Sequence, residues 1–176
     1  MRRRALLATA GTTTFAGCSL PTRCSRPSLR ADHLEFESEE LGSLSRWIGR
    51  ETAILATRPA HIDRFEPPER IASENDVELS ADDRERLERT AFDESFAVGI
   101  VVGSSGQSTS ARVTHVVREN ERVHCYICIR RRGTTDDWAP QIRLVRVETS
   151  WKPESVRVTF TDGRDGTETF DTDGTE

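Results

Sequence analysis

The stretch VHCYICIR places two cysteines, Cys125 and Cys128, at the C-x-x-C spacing of redox and zinc-binding motifs. A reactive pair of this kind lies at a turn that opens a helix, where the helix dipole lowers the thiol pKa. Here the neighbours Val123, Tyr126 and Ile129 are β-branched or aromatic and favour a strand. Residues three apart in a strand point to opposite faces of a sheet. We therefore predict that the two thiols neither bridge each other nor share one metal ion.

Two histidines, His115 and His124, lie near this pair in the sequence and add imidazole nitrogens to the two thiols. Imidazole and thiolate are the ligands that zinc prefers. A metal-binding or redox protein that uses Cys125, Cys128 and His115 or His124 is therefore the alternative hypothesis for function. The chain has no second C-x-x-C to complete a zinc site, and we expect no metal and no cofactor.

The predicted strands that carry these residues form a hairpin whose register decides which side chains meet. Burial of both apolar faces favours the register that pairs Val117 with Val123, across a three-residue loop at 119–121. His115 then lies opposite Cys125 in the core, as a buried and neutral neighbour. The opposite face carries the remaining two candidates, His124 and Cys128.

Two other polar stretches fail to match motifs that carry chemistry. In GSSGQS, Gln107 stands where the nucleophile elbow G-x-S-x-G requires glycine, and a strand rather than a helix follows. In TDGRDG, Arg164 stands where a calcium-binding loop requires an oxygen ligand. We predict a hairpin loop and a solvated tail for these stretches. No catalytic residue is assigned, and we expect that the protein is not an enzyme.

A further cysteine, Cys18, follows a positively charged segment and a short apolar run, the order of parts in an export signal. The run ends in FAGC and is similar to a lipobox, whose cysteine accepts a diacylglyceryl group through its thiolate. We predict a signal peptide over residues 1–17 and a lipidated flexible tether over residues 18–32. The residues that match a twin-arginine export pattern are Arg3, Arg4, Leu6 and Leu7.

The charge balance restricts the partners of the exported chain. Without the three arginines of the signal, 22 basic residues face 30 acidic ones, a net charge of about −8. Phosphate backbones require a positive field, so nucleic acid is not an expected partner. Lys152 is the single lysine. Acidic, lysine-poor chains with this kind of signal resemble exported proteins of halophilic archaea, in which salt screens carboxylate repulsion.

Alternating and β-branched stretches predict a mainly β domain. One helix is predicted over 81–90, capped by Ser80. Closely spaced strands after a single helix favour an antiparallel β-sandwich or partly open barrel of about six or seven strands, with the helix on the N-terminal side. This single domain spans 33–176 and ends in a solvated acidic tail. The predicted strands are 52–57, 95–103, 110–117, 122–129, 141–149, 155–161 and 167–171.

The order of these elements resembles the C-terminal domain of PrcB-type protease-complex subunits over about residues 71–149. The shared pattern is a helix, a buried strand that ends at Gly103, a hairpin, and a loop with Pro140 before the strand QIRLVRV. The family's Gly-Gly-Tyr segment is replaced here by GQSTSA. The resemblance implies a non-enzymatic module that stabilises or tethers a partner, and it supplies no catalytic residue.

Together these patterns predict a lipoprotein held on the extracytoplasmic face of the cell membrane through Cys18. Its partners would be the lipid bilayer, through the acyl chains, and a protein that the sequence does not identify. A binding module of this kind predicts an exposed apolar patch or an unpaired sheet edge. The metal-binding alternative predicts that cysteine and histidine side chains converge.

Overall fold

The computed structural model describes residues 24–42, 52–66, 78–102, 109–131, 141–161 and 167–172. Nine strands and two helices lie in these residues. They are β1 (Asp32–His33), β2 (Phe36–Leu41), β3 (Thr52–Ala56), a 3₁₀ helix (Pro59–Phe65), α1 (Ala81–Glu88), β4 (Ser95–Val102), β5 (Thr109–Glu119), β6 (Arg122–Arg131), β7 (Gln141–Glu148), β8 (Ser155–Thr161) and β9 (Thr167–Thr172).

The strands form two sheets. The five-stranded sheet has the order β1-β5-β6-β8-β9, and the four-stranded sheet has the order β2-β7-β4-β3. All neighbouring strands are antiparallel except β6 and β8, which are parallel. The sheets face each other and do not join into a closed barrel in the described residues. The predicted mainly β sandwich is therefore confirmed.

The main core lies between the two sheets and follows from the period-2 pattern of the strands. In β4 the even-numbered residues Phe96, Val98 and Ile100 point inward, and in β6 the odd-numbered residues do so. The other buried residues of this core come from β3 and β7 in the sheet of β4, and from β5 and β8 in the sheet of β6. Since every second residue of β6 is buried here, the residues between them must face outward from the five-stranded sheet.

A second apolar layer lies between the outer face of the four-stranded sheet and the two helices. Helix α1 begins after Ser80, whose Oγ accepts a hydrogen bond from the Asp83 backbone N–H at 3.1 Å, so the predicted helix and its cap are confirmed. The 3₁₀ helix buries Phe65 against Gly99 of β4, where a side chain would occupy the space of the ring. The helices therefore cover one outer face of the sandwich.

The hairpin of β5 and β6 has a different register from the predicted one. Its loop contains two residues, Asn120 and Glu121, and Asn120 adopts a φ of 58°, which asparagine tolerates. Val117 consequently pairs with His124 and not with Val123. The predicted three-residue loop is wrong because the two-residue turn already provides the left-handed residue that the hairpin requires.

A β-bulge at Thr114 moves His115 out of the core. The pairing of β5 with β6 shifts between Val113 and His115, so Val113 and Val116 both face inward although three positions separate them. His115 therefore pairs with Tyr126 on the outer face, and Val116 takes the predicted place opposite Cys125. The predicted contact of His115 with Cys125 is wrong, since the extra residue lets a valine fill that core position.

Candidate functional site

The outer face of the five-stranded sheet carries a row of aromatic side chains. His33 of β1, His115 of β5, and Tyr126 and His124 of β6 follow one another, with ring centroids separated by 5.8, 6.3 and 4.1 Å. The His124 and Tyr126 rings are stacked at 27°. Strand pairing explains the row, because β5 lies between β1 and β6 and its outward residues stand beside the outward residues of both.

His124 is the centre of a hydrogen-bonded series that crosses three strands. Its Nδ1 lies 2.7 Å from Glu119 Oε1, and its Nε2 lies 2.8 Å from Thr159 Oγ1. Thr159 Oγ1 lies 2.9 Å from Thr169 Oγ1. From this network we assign neutral His124 as the tautomer whose Nδ1–H donates a hydrogen bond to the Glu119 carboxylate and whose Nε2 accepts one from the Thr159 hydroxyl. Every polar atom of this buried ring is therefore satisfied.

The order carboxylate, imidazole and hydroxyl is also the order that activates a nucleophile in hydrolases. Thr159 is only 5% exposed, and its hydroxyl is already shared between His124 and Thr169. A substrate carbonyl does not reach such an oxygen. The series therefore serves to fix the His124 ring and the strands that carry it.

A cluster of ion pairs borders the same face. Arg157 donates two hydrogen bonds to Asp171, from Nε at 2.7 Å and from Nη2 at 3.0 Å, and a third from Nη1 to Glu119 at 3.3 Å. Arg122 adds a bond to Asp171 at 3.2 Å. The hydrogen bonds from Arg157 are the main reason that the pKa of Asp171 is lowered.

Three residues of this ion-pair cluster, Glu119, Arg122 and Arg157, also line a groove of about 410 Å³ at the hairpin end of the sheet. The other residues that line the groove are Asn120, Glu121, Glu154 and Ser155.

Burial lowers the pKa of His124, and the Glu119 carboxylate offsets part of this effect. The unfolded chain, with an ordinary histidine pKa of about 6.5, then binds more protons than the folded chain just below that pH. We expect that the free energy of unfolding decreases as the pH falls from 8 to 5, and that His124→Gln reduces this dependence. Urea unfolding of the wild type and His124→Gln at pH 8 and pH 5 measures the change in the free energy of unfolding of each protein. An equal pH dependence in the variant would exclude His124 as a source of the effect.

The structure separates Cys125 from the other three residues of the metal-binding hypothesis. Cys125 is buried on the inner face, where burial raises the pKa of its thiol to about 12, so it carries no thiolate at neutral pH. Cys128 lies on the outer face and forms a disulfide with Cys24, with a Cα–Cα distance of 5.5 Å. The two thiols of the C-x-x-C pair do not meet, as the strand pattern predicts.

The outer face brings together His115, His124 and Cys128, contrary to the predicted hairpin. The disulfide removes the Cys128 thiolate as a ligand, and the His124 nitrogens already bond to Glu119 and Thr159. The described residues contain no group of three histidine, cysteine or acidic side chains placed to hold a metal ion. The set Cys125, Cys128 and His115 or His124 therefore forms no common site.

The residues of the export signal and lipid anchor lie outside the described residues: Arg3, Arg4, Leu6, Leu7 and Cys18. The described leader begins at Cys24, and the disulfide attaches it to β6 from that residue onward. Ser25 also donates its backbone N–H to Thr161 Oγ1 at 3.1 Å. The tether predicted for 18–32 is thus fixed to the sheet at residue 24. None of the helices in the described part of the chain has the length and apolar character needed to cross a membrane.

No family model, curated protein or solved structure matches the chain in comparisons with known proteins. The similarity to PrcB-type subunits stays a prediction.

Sequence reasoning did not identify four residues of the outer face: His33, Glu119, Tyr126 and Asp171. His33 and Asp171 lie far in the sequence from the hairpin that carries Glu119 and Tyr126, and only the strand register brings them to it. The one sequence feature that pointed to this face was Tyr126, the single tyrosine of the chain, which lies two positions after His124.

Proposed function

We propose that the protein is an exported lipoprotein, anchored through Cys18 on the extracytoplasmic face of the cell membrane, and that its domain is a non-enzymatic module that binds a protein partner. The disulfide between Cys24 and Cys128 is the observation that supports export from the cytoplasm. Disulfides form and persist in oxidising compartments outside the cytoplasm. An exported chain with a lipobox-like FAGC meets this condition.

The outer face of the five-stranded sheet supports the proposal that the domain binds a protein partner. It combines Tyr126, histidines and arginines, and tyrosine and arginine are enriched in protein interfaces. The helices cover the opposite side of the sandwich, and Tyr126 on this face is half-buried, so part of its ring is accessible to a partner. Its polar character suits a partner that associates and dissociates, since permanent interfaces are more apolar. The similarity to PrcB-type subunits favours the same kind of role.

Replacing Cys18 with alanine tests the anchor. We expect the variant either to leave the membrane fraction or to accumulate as the unprocessed precursor, because alanine has no thiol to acylate. Cell fractionation and the mass of the mature N-terminus measure this. A variant that matures normally and stays with the membranes would contradict the anchor.

The same cells test the binding module. We expect cross-linking of the anchored wild-type protein to capture a discrete partner, and Tyr126→Ala to lose it. Glu88→Gln, an exposed position on α1, is the matched control and should retain it. Equal capture by Tyr126→Ala and the wild type would show that this face is not the binding surface.

A further inference from the structure

A turn in the leader exposes an unusual side chain. Residues Ser28–Ala31 form a tight turn closed by the Ala31 N–H, which donates to the Ser28 carbonyl oxygen at 3.0 Å. Leu29 lies at its tip and is fully exposed, at 103% of its reference area. No other large hydrophobic side chain is exposed in the described residues. We call Ser28–Ala31 the leader turn.

The leader turn is held at both ends. On one side Cys24 is bonded to Cys128, and on the other side β1 pairs Asp32 with Arg118 of β5. Leu34 continues this attachment, since its N–H donates to the Val116 carbonyl oxygen at 2.9 Å. The exposed leucine therefore projects from a fixed place beside the β1–β5 edge of the five-stranded sheet.

The charge of the leader differs from that of the rest of the chain. Residues 24–31 contain Arg26 and Arg30, both exposed, and no acidic residue, although the mature chain is strongly acidic. An apolar side chain flanked by guanidinium groups suits the boundary between lipid headgroups and acyl chains. The leucine enters the apolar part, and the arginines pair with phosphates.

The proposed anchor brings this turn close to the bilayer. Cys24 follows Cys18 by six positions, and an extended chain over that distance spans about 20 Å. Acyl chains on Cys18 therefore keep Cys24, and the leader turn shortly after it, near the membrane. Since the second contact is then intramolecular, a weak one is enough to orient the domain.

We propose that the leader turn is a membrane contact, in which Leu29 enters the lipid headgroup boundary and Arg26 and Arg30 bind lipid phosphates. This proposal rests on the membrane anchor of the proposed function and adds the orientation of the domain. The β1–β5 edge then lies against the bilayer.

A tryptophan at the tip of the turn tests this contact. The full chain with Leu29→Trp is coupled through Cys18 to a maleimide lipid in vesicles of phosphatidylglycerol and phosphatidylcholine, with or without brominated acyl chains. Cys18 is suited to the coupling because Cys125 is buried and the other two cysteines are bonded to each other. Emission of the wild-type tryptophans is subtracted, and Glu88→Trp on α1 is the matched control.

We expect brominated lipid to reduce the emission of the indole introduced at position 29 at least about twofold and to leave the Glu88→Trp variant unchanged. Adding Arg26→Glu and Arg30→Glu should bring the quenching down to the control value. Equal quenching of the indoles at positions 29 and 88 would overturn the contact, and full quenching after both arginine changes would overturn the phosphate pairing. The coupling is chemical, so a failure of lipidation in cells, read from Cys18→Ala, is distinguishable from a failure here.

Discussion

Replacing Cys24 with serine should lower the free energy of unfolding by about 2–5 kcal/mol. The disulfide joins residues 104 positions apart, so it restricts a large part of the unfolded chain, and the loss of this restriction favours unfolding. Urea unfolding of the oxidised wild type and the variant measures the difference.

Two controls separate the bond from the side chains. Cys128→Ala should cost a similar amount, and the double variant should cost little more than either single one, because each change breaks the same bond. A reducing agent should destabilise the wild type and leave Cys24→Ser unchanged. Wild-type stability in Cys24→Ser would show that the bond contributes nothing to folding.

Gly99→Ala should destabilise the domain by about 1–3 kcal/mol, the usual cost of overpacking a core. A methyl group at this position of β4 would collide with the ring of Phe65, the fully buried last residue of the 3₁₀ helix. The ring or the strand has to shift, and both belong to the layer between helices and sheet.

A double-mutant cycle tests this explanation. Phe65→Ala alone should cost about 3–5 kcal/mol through the cavity it leaves. The double variant should cost less than the sum, because the new methyl group then projects into that cavity. Gly42→Ala is the matched control, since no atom lies within 4 Å of its added carbon, and it should change stability by about 0.5 kcal/mol or less. A strictly additive cycle would contradict a clash between these two residues.

The sequence predicted the strands that bury one face. In β4, β6 and β8 the apolar residues alternate or run together, and each observed strand lies within a few residues of the predicted one. Strand β2, FESEEL, was not predicted because most of its residues are polar. Its partners are on β7, where Arg143 pairs with Glu40 at 3.0 Å and Arg146 pairs with Glu39. The information that makes it a strand therefore lies about a hundred residues away.

The candidate site depended on details that local patterns do not contain. The bulge at Thr114 places His115 on the outer face instead of the inner one. A single inserted residue exchanges the inward and outward positions of the strand residues that follow it, up to the turn. The partner of Cys24 was equally open, because sequence alone does not give disulfide connectivity. The separation of Cys125 from Cys128 was predictable, since it follows from the period of a strand alone.

The parallel pairing of β6 with β8 has a consequence for the time that folding takes. Between these strands the chain leaves the five-stranded sheet, forms β7 in the other sheet, and then returns. The hydrogen bonds of β6 with β8 thus close a long loop, whose entropy is lost before those contacts form. Sandwiches dominated by such distant pairings fold in milliseconds to seconds rather than microseconds. During that interval one edge of β6 stays open, and a newly made chain can pair there with a neighbouring chain instead of with its own β8.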